Sequence, residues 1–404
     1  MEMGILALFL CIAAYSLLAK RLSSTVITAP MVFIAVGFSV TYFDILKLQN
    51  SEKALYIIAE SALVVLLFLD ASKIRLKRLV SHNGWPLRML FIGLPLSILF
   101  GTLAGMLFFP GWSIALIALT ASILAPTDAA LSEAVINNQR VPEDERQTLS
   151  VESGLNDGLA LPMILFFASF LAMEHSTSTS TTDWLILGGS QILIGALAGL
   201  SIGWLGARIL LLDESWNLSS EVYEGIAVLA LIGTSYLTAS LLGGNGFISA
   251  FLAGLTFGNI VKTDCKFIYQ FTESEGQILV WSAFIIIGLG LLPQAVEQLT
   301  LPVAGYILVS LFLVRPIAIY IALIGSNAKA STRLFMGWFG PRGLATALFA
   351  LLVAHEILPT YSQSILVVAI NAVWMSTLLH GLSAAFLAER YAKLMNKNND
   401  SSST

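Results

Sequence analysis

The chain has 404 residues, 57% of them hydrophobic and only 11% charged, with a formal net charge of −4. A soluble domain of this length needs far more charge to cover its surface, and the mean hydropathy of +0.83 agrees. Composition therefore excludes a soluble enzyme or binding module and predicts an all-α polytopic membrane protein whose main partner is the lipid bilayer, with no nucleic acid among its partners.

A membrane-crossing helix needs about 20 mostly apolar residues. Apolar runs between polar breaks predict thirteen spans, at roughly 3–19, 25–43, 54–70, 88–109, 113–138, 148–173, 184–207, 222–242, 247–261, 275–293, 301–325, 333–354 and 363–388. The first run reads as a retained span and not a cleaved signal peptide, because Lys20 and Arg21 follow it instead of preceding it. Cys11 and Cys265 have no metal-type spacing and read as packing residues. The polar tail from Asn396 to Thr404 is predicted to be disordered.

With the N-terminus outside, seventeen Lys and Arg residues fall on inside segments and two, Lys47 and Lys53, fall outside. That asymmetry is what the positive-inside rule expects, and it predicts a cytoplasmic C-terminus in a cell (inner) membrane. The two remaining basic residues, Arg315 and Arg342, lie inside apolar runs, as do Asp128, Glu152 and Asp157. Ionisable groups at membrane depth are expensive and mark an ion or proton pathway by default. A simple ion-pair lock between helices would need no surplus carboxylate.

Span 5 carries Ala125-Pro126-Thr127-Asp128 near its middle. Pro126 removes a backbone donor and disfavours helix at Ala125, so the span is predicted to break there, with Thr127 and Asp128 as N-caps of its second half. Span 12 has a matching interruption at Phe339-Gly340-Pro341-Arg342-Gly343. A shift of seven spans maps span 5 onto span 12 with reversed direction, which predicts two inverted six-helix repeats with broken helices in corresponding positions.

Span 6 reads Glu152-Ser153-Gly154-Leu155-Asn156-Asp157-Gly158. Glu152 shares a helix face with Asn156, and Ser153 with Asp157. Asp157 can take a cation or a proton; Ser153, Asp157 and the Thr127 hydroxyl or carbonyl would form an all-oxygen shell suited to sodium. Asn156 can hold Thr127 or Asp128 in place. Glu152 needs a partner that Arg342 or Arg315 must supply; the expectation favours Arg342 and leaves Arg315 structural or field-setting.

Ala-Pro-Thr-Asp at 125–128, Glu-Ser-Gly-Leu-Asn-Asp-Gly at 152–158 and Gly-Pro-Arg-Gly at 340–343 resemble the signature segments of NhaP-type sodium/proton antiporters. These belong to the monovalent cation/proton antiporter-1 family, which includes the animal sodium/proton exchangers. Asn-Gly-Phe-Ile-Ser-Ala-Phe-Leu-Ala-Gly-Leu at 245–255 resembles another of its stretches. The resemblance implies a homodimer, with a dimerisation part at about 1–80 and 215–295, a mobile core at about 86–175 and 300–390, and a short tail at 391–404. It implies ion binding by Thr127, Ser153 and Asp157, shaping of the site by Asp128 and Asn156, and a Glu152–Arg342 pair. Asp70, at the inner end of span 3, is the candidate for an acid that joins the site in some relatives.

The implied activity is exchange of sodium, with lithium beside it, for protons by alternating access, without a cofactor. Asn156 stands where electrogenic relatives carry a second aspartate, so the expected exchange is electroneutral, one proton per cation. A potassium/proton antiporter is the first alternative, since oxygen ligands alone do not set cation size. An intramembrane aspartyl hydrolase using Asp128 and Asp157 would need two carboxylates sharing a proton and gives Asn156 and the arginines no role. A passive cation channel is a third reading.

Overall fold

In a computed structural model, residues 2–22, 27–44, 52–76, 84–128, 131–136, 138–173, 181–216, 220–261, 277–354 and 357–402 are described. Cys265 and the loop charges Lys47, Lys77, Arg78, Lys262 and Lys266 lie outside those residues. The described elements are all helical: α1 (Glu2–Leu22), α2 (Ala29–Tyr42), α3 (Glu52–Lys73), α4 (Trp85–Phe108), α5 (Ile114–Leu124), α6 (Glu133–Ile136), α7 (Glu143–Met173) and α8 (Thr181–Trp216). There follow α9 (Glu221–Leu241), α10 (Gly246–Val261), α11 (Gln277–Glu297), α12 (Leu301–Ala322), α13 (Ala330–Trp338), α14 (Leu344–Ala354) and α15 (Pro359–Ser402). Among the described residues seven helices are long and apolar enough to cross a membrane. Each apolar run read from the sequence coincides with one helix or, for spans 5 and 12, with a broken pair.

Three π-helical turns, Met89–Gly93, Ile287–Leu291 and Ser310–Val314, interrupt α4, α11 and α12. Each ends two residues before a proline, namely Pro95, Pro293 and Pro316. A proline ring crowds the carbonyl four residues back and offers it no N–H; widening the preceding turn relieves that conflict without ending the helix. In α12 the wide turn hands directly to Arg315, which is buried.

Lipid tails are as apolar as leucine, so helices in a bilayer associate largely through close van der Waals packing of small residues. α10 is held on two sides this way. A Cβ on its Gly254 or Gly258 would lie 2.1 or 1.9 Å from the carbonyl oxygens of Phe68 and Ser72 on α3. On α8, a Cβ at Gly195, Gly199 or Gly203 would lie 2.4–2.5 Å from the carbonyls of Asn245, Ser249 and Ala253. Asn259 then ties the end of α3 to α10, donating to Ile74 O at 2.8 Å and accepting from Leu76 N–H at 3.0 Å. This fixes the register of α3, and with it Asp70, against its neighbours.

The tail corrects one expectation. α15 continues as helix to Ser402, through the segment whose composition predicts disorder. After Gly381 the chain contains no glycine or proline, and extending an existing helix adds one hydrogen bond per residue without a new nucleation cost. Cys11 is half-buried and packs against the main core, as expected of a packing residue.

Candidate functional site

The site forms where the two broken helices cross. α5 ends at Leu124, and Ala125 to Asp128 leave the helix, as expected from Pro126. α13 ends at Trp338, and residues 339–343 are unwound before α14 begins at Leu344. Helix ends leave carbonyls and amides that must find partners. Each break supplies the other's. Arg342 Nη1 donates to the carbonyls of Ala125 and Pro126 at 2.9 and 3.1 Å, a cation at the negative end of α5. Asp128 Oδ2 accepts from Leu344 N–H at 2.7 Å, an anion at the positive end of α14. Asp128 N–H also donates to Pro341 O at 2.9 Å. Thr127 and Asp128 were expected to cap the second half of span 5; residues 129 and 130, which follow them, lie outside the described residues.

The Gly-Pro-Arg-Gly motif explains itself residue by residue in this geometry. A Cβ at Gly340 would lie 1.5 Å from Arg315 Nε, and one at Gly343 would lie 1.8 Å from Asp128 Oδ2. The two glycines therefore clear space for the two charged side chains, Pro341 offers its carbonyl, and Arg342 grips the opposite helix. Gly343→Ala is expected to push Asp128 off the α14 amide, lowering thermal stability and transport together. A variant with unchanged melting and unchanged transport would contradict that packing.

α7 runs past the crossing and presents Glu152, Ser153 and Asn156 to it, all at most 3% exposed. Thr127 Oγ1 is held from three directions: it accepts from Asn156 Nδ2 at 2.6 Å and lies 3.2 Å from both Glu152 Oε2 and Ser153 Oγ. Glu152 is matched by Arg315, whose Nη1 and Nη2 each donate to one carboxylate oxygen at 3.1 Å. This corrects the expected Glu152–Arg342 pair. Arg342 is occupied by the two helix-end carbonyls, while Arg315, following the wide turn of α12 and passing over Gly340, reaches the carboxylate as a bidentate fork.

Among the described residues, two buried oxygens beside this network, Asn156 Oδ1 and Asp157 Oδ1, receive no hydrogen bond. Asn156 turns its Nδ2 toward Thr127, so its carbonyl oxygen faces away from that network. Leaving a buried acceptor without a donor costs about 1–3 kcal/mol, more when it is charged. Asp128, Asp70 and Glu152 all lie close enough to act on Asp157 electrostatically, and each repels a second negative charge there.

A profile of the family described as "Sodium/hydrogen exchanger, transmembrane" matches residues 5–390. The chain belongs to that family. It is 29% identical over 300 residues to the K(+)/H(+) antiporter NhaP2 of Shewanella oneidensis, a stretch covering 73% of this chain and 50% of that protein. It is 26% identical over 243 residues to Na(+)/H(+) antiporter 1 of Methanocaldococcus jannaschii, covering 59% of this chain and 56% of that protein. The chain thus spans about half the length of these curated relatives. The fold matches the solved structure of the sodium proton antiporter MjNhaP1 from M. jannaschii at pH 8, with a TM-score of 0.77, 20% identity, and coverage of 97% of this chain and 99% of that one.

Within this chain, the structure brings Thr127, Glu152, Ser153 and Asn156 into direct contact, with Asp128 at the crossing and Asp157 one turn beyond Ser153 on α7. Asp70 stands at the edge. Its carboxylate is half-exposed and 3.6 Å from Lys73 Nζ, while its carbonyl oxygen would lie 3.8 Å from a Cβ at Gly154. Among the ionisable residues inside apolar runs that the sequence reading passed over are Glu60 and His380. Glu60 on α3 accepts a hydrogen bond from Tyr236 of α9, and His380 on α15 contacts the end of α13. Both carry the ordinary signal of a titratable residue at membrane depth, which a search confined to the motif segments passes over.

Proposed function

We propose that this chain is a secondary antiporter exchanging sodium, and lithium by the same hard-oxygen chemistry, for protons across the cytoplasmic membrane. The observation that carries the reading is the pair of buried, unmatched oxygens on Asn156 and Asp157 beside a carboxylate, Glu152, that already has its arginine. One acid in the site is left to be neutralised from outside the protein. Asp157 takes either a proton or a cation; Ser153 and the Thr127 carbonyl complete the oxygen shell. The Thr127 hydroxyl instead locks the broken helix to α7, with Asn156 and Asp128 as the rest of that frame.

The bare carboxylate carries a desolvation cost of several kcal/mol at this depth. The loaded site crosses and the empty one does not, so the two ions move in opposite directions. With one exchanging acid, the cycle is one-for-one and electroneutral. Thirteen spans with the N-terminus outside, a homodimer, and a core at about 86–175 and 300–390 moving against a scaffold at about 1–80 and 215–295 complete the proposal.

A potassium/proton antiporter is the second reading, favoured by the names of the NhaP2 relatives at 27–29% identity. Proteoliposomes with a trapped pH dye separate the readings. A sodium gradient is expected to drive a pH change that persists when a permeant anion clamps the voltage, with potassium weaker. Potassium alone driving the change would favour the second reading. A pH change that follows the voltage instead of the cation gradient would point to a channel.

A further inference from the structure

We propose that Ser376 and His380 on α15 are positioning residues that hold the unwound segment 339–343 and thereby set the Arg342 grip on the end of α5. The inference deepens the antiport reading above and rests on it for its transport readout. The unwound segment has lost its helical hydrogen bonds, so its backbone groups need other partners. Arg342 N–H donates to Ser376 Oγ at 2.7 Å. Ser376 Oγ is in turn 3.1 Å from His380 Nδ1, and His380 Nε2 is 3.2 Å from the carbonyl of Trp338, the last residue of α13. Both side chains are at most 2% exposed.

Donor and acceptor identities orient this chain. A backbone amide only donates and a carbonyl only accepts. Each ring nitrogen of His380 faces a carbonyl, Nε2 that of Trp338 at 3.2 Å and Nδ1 that of Ser376 at 3.1 Å; the tautomer with its proton on Nε2 donates to Trp338 O and leaves Nδ1 to accept from Ser376 Oγ, which itself receives the Arg342 amide. The clamp thus runs unbroken from one side of the gap in span 12 to the other. Ser376, His380 and Ser383 lie at i, i+4 and i+7, one face of α15. Ser383 extends the contact, accepting from Trp338 Nε1 at 3.3 Å, and the imidazole lies 5.3 Å from the Trp338 ring centroid.

A histidine that only filled space here would stop at α13. This one ends on the backbone of Arg342, whose guanidinium holds the Ala125 and Pro126 carbonyls next to Thr127. The consequence is that α15, which contributes no residue to the proposed ion shell, sets the register of both breaks.

The test combines amide hydrogen exchange and transport on the full chain, comparing Ser376→Ala, His380→Leu and His380→Gln with wild type. Removing one buried hydrogen bond is expected to speed exchange at residues 342 and 344 about tenfold, with a rise also at 127 and 128 in the other break. The apparent KM for the cation is expected to rise several-fold in Ser376→Ala and His380→Leu while the maximal rate stays near wild type. Glutamine, whose amide nitrogen can donate where Nε2 does, is expected to restore both readouts. The double variant Ser376→Ala/His380→Leu is expected to be no worse than the poorer single one, because the two residues form one chain.

Unchanged exchange at residues 339–344 in both single variants would overturn the proposal. So would faster exchange spread evenly over α13 to α15, with glutamine no better than leucine, since that is the mark of general packing. Absence of cation-driven proton flux in wild type would instead sink the antiport reading, and the exchange data alone would still decide the clamp.

Discussion

Asp157→Asn is expected to abolish cation-driven proton flux in proteoliposomes while leaving the melting temperature of the purified protein at or above that of wild type. The substitution replaces a carboxylate with an amide of the same shape, so the packing of α7 against the crossing is unchanged. The amide cannot exchange a proton for a cation, and every step that alternates the two is lost. Stability is expected to hold because the wild-type side chain is itself a liability: Oδ1 is buried without a donor, and Asp128, Asp70 and Glu152 act on it with like charge. Sites built for transport are often less stable than their neutral variants for this reason. Sodium-dependent flux retained in Asp157→Asn would remove Asp157 from the exchanging role.

Arg315→Met is expected to be among the most damaging single substitutions in the chain. Glu152 and Arg315 are both 3% exposed and joined by two 3.1 Å bonds. Removing one member of a buried pair leaves an uncompensated charge and costs about 3–5 kcal/mol, whereas replacing both by neutral groups of similar volume is often close to harmless. The double variant Glu152→Gln/Arg315→Met is therefore expected to recover much of the loss of thermal stability, with a strongly non-additive cycle.

Arg342→Met should behave differently. It deprives two neutral carbonyls of a donor, at about 1–3 kcal/mol, and Glu152→Gln should not rescue it. If Arg342→Met were the variant rescued by Glu152→Gln, with Arg315→Met silent, the pairing observed between Glu152 and Arg315 would be wrong.

These predictions fall at the border between what the chain's residues dictate locally and what packing decides. Bilayer thickness and hydrophobicity act on each segment independently, so the membrane class and the position of the described apolar helices could be read from apolar runs alone. The breaks were also legible, because Pro126 and Pro341 each remove a backbone donor and disfavour helix at the residue before them, next to the capping residues Thr127 and Asp128 in one span and to Gly340 and Gly343 in the other. The helical period put Glu152 with Asn156, and Ser153 with Asp157, on shared faces of α7.

The partner of Glu152 was not legible. Arg315 and Arg342 are both buried arginines in later spans, and sequence separation carries no record of which guanidinium arrives first. Tertiary packing decided it by presenting the Ala125 and Pro126 carbonyls to Arg342, and by clearing a path for Arg315 over Gly340. Likewise, the sequence offered Asp128 as a cap for its own span and gave no sign that its carboxylate meets the amide of Leu344, 216 residues away. Local rules determined which groups would be left wanting a partner; only the crossing of the two broken helices determined which partners they met, because unwound backbone takes its bonds from whatever lies nearest in space.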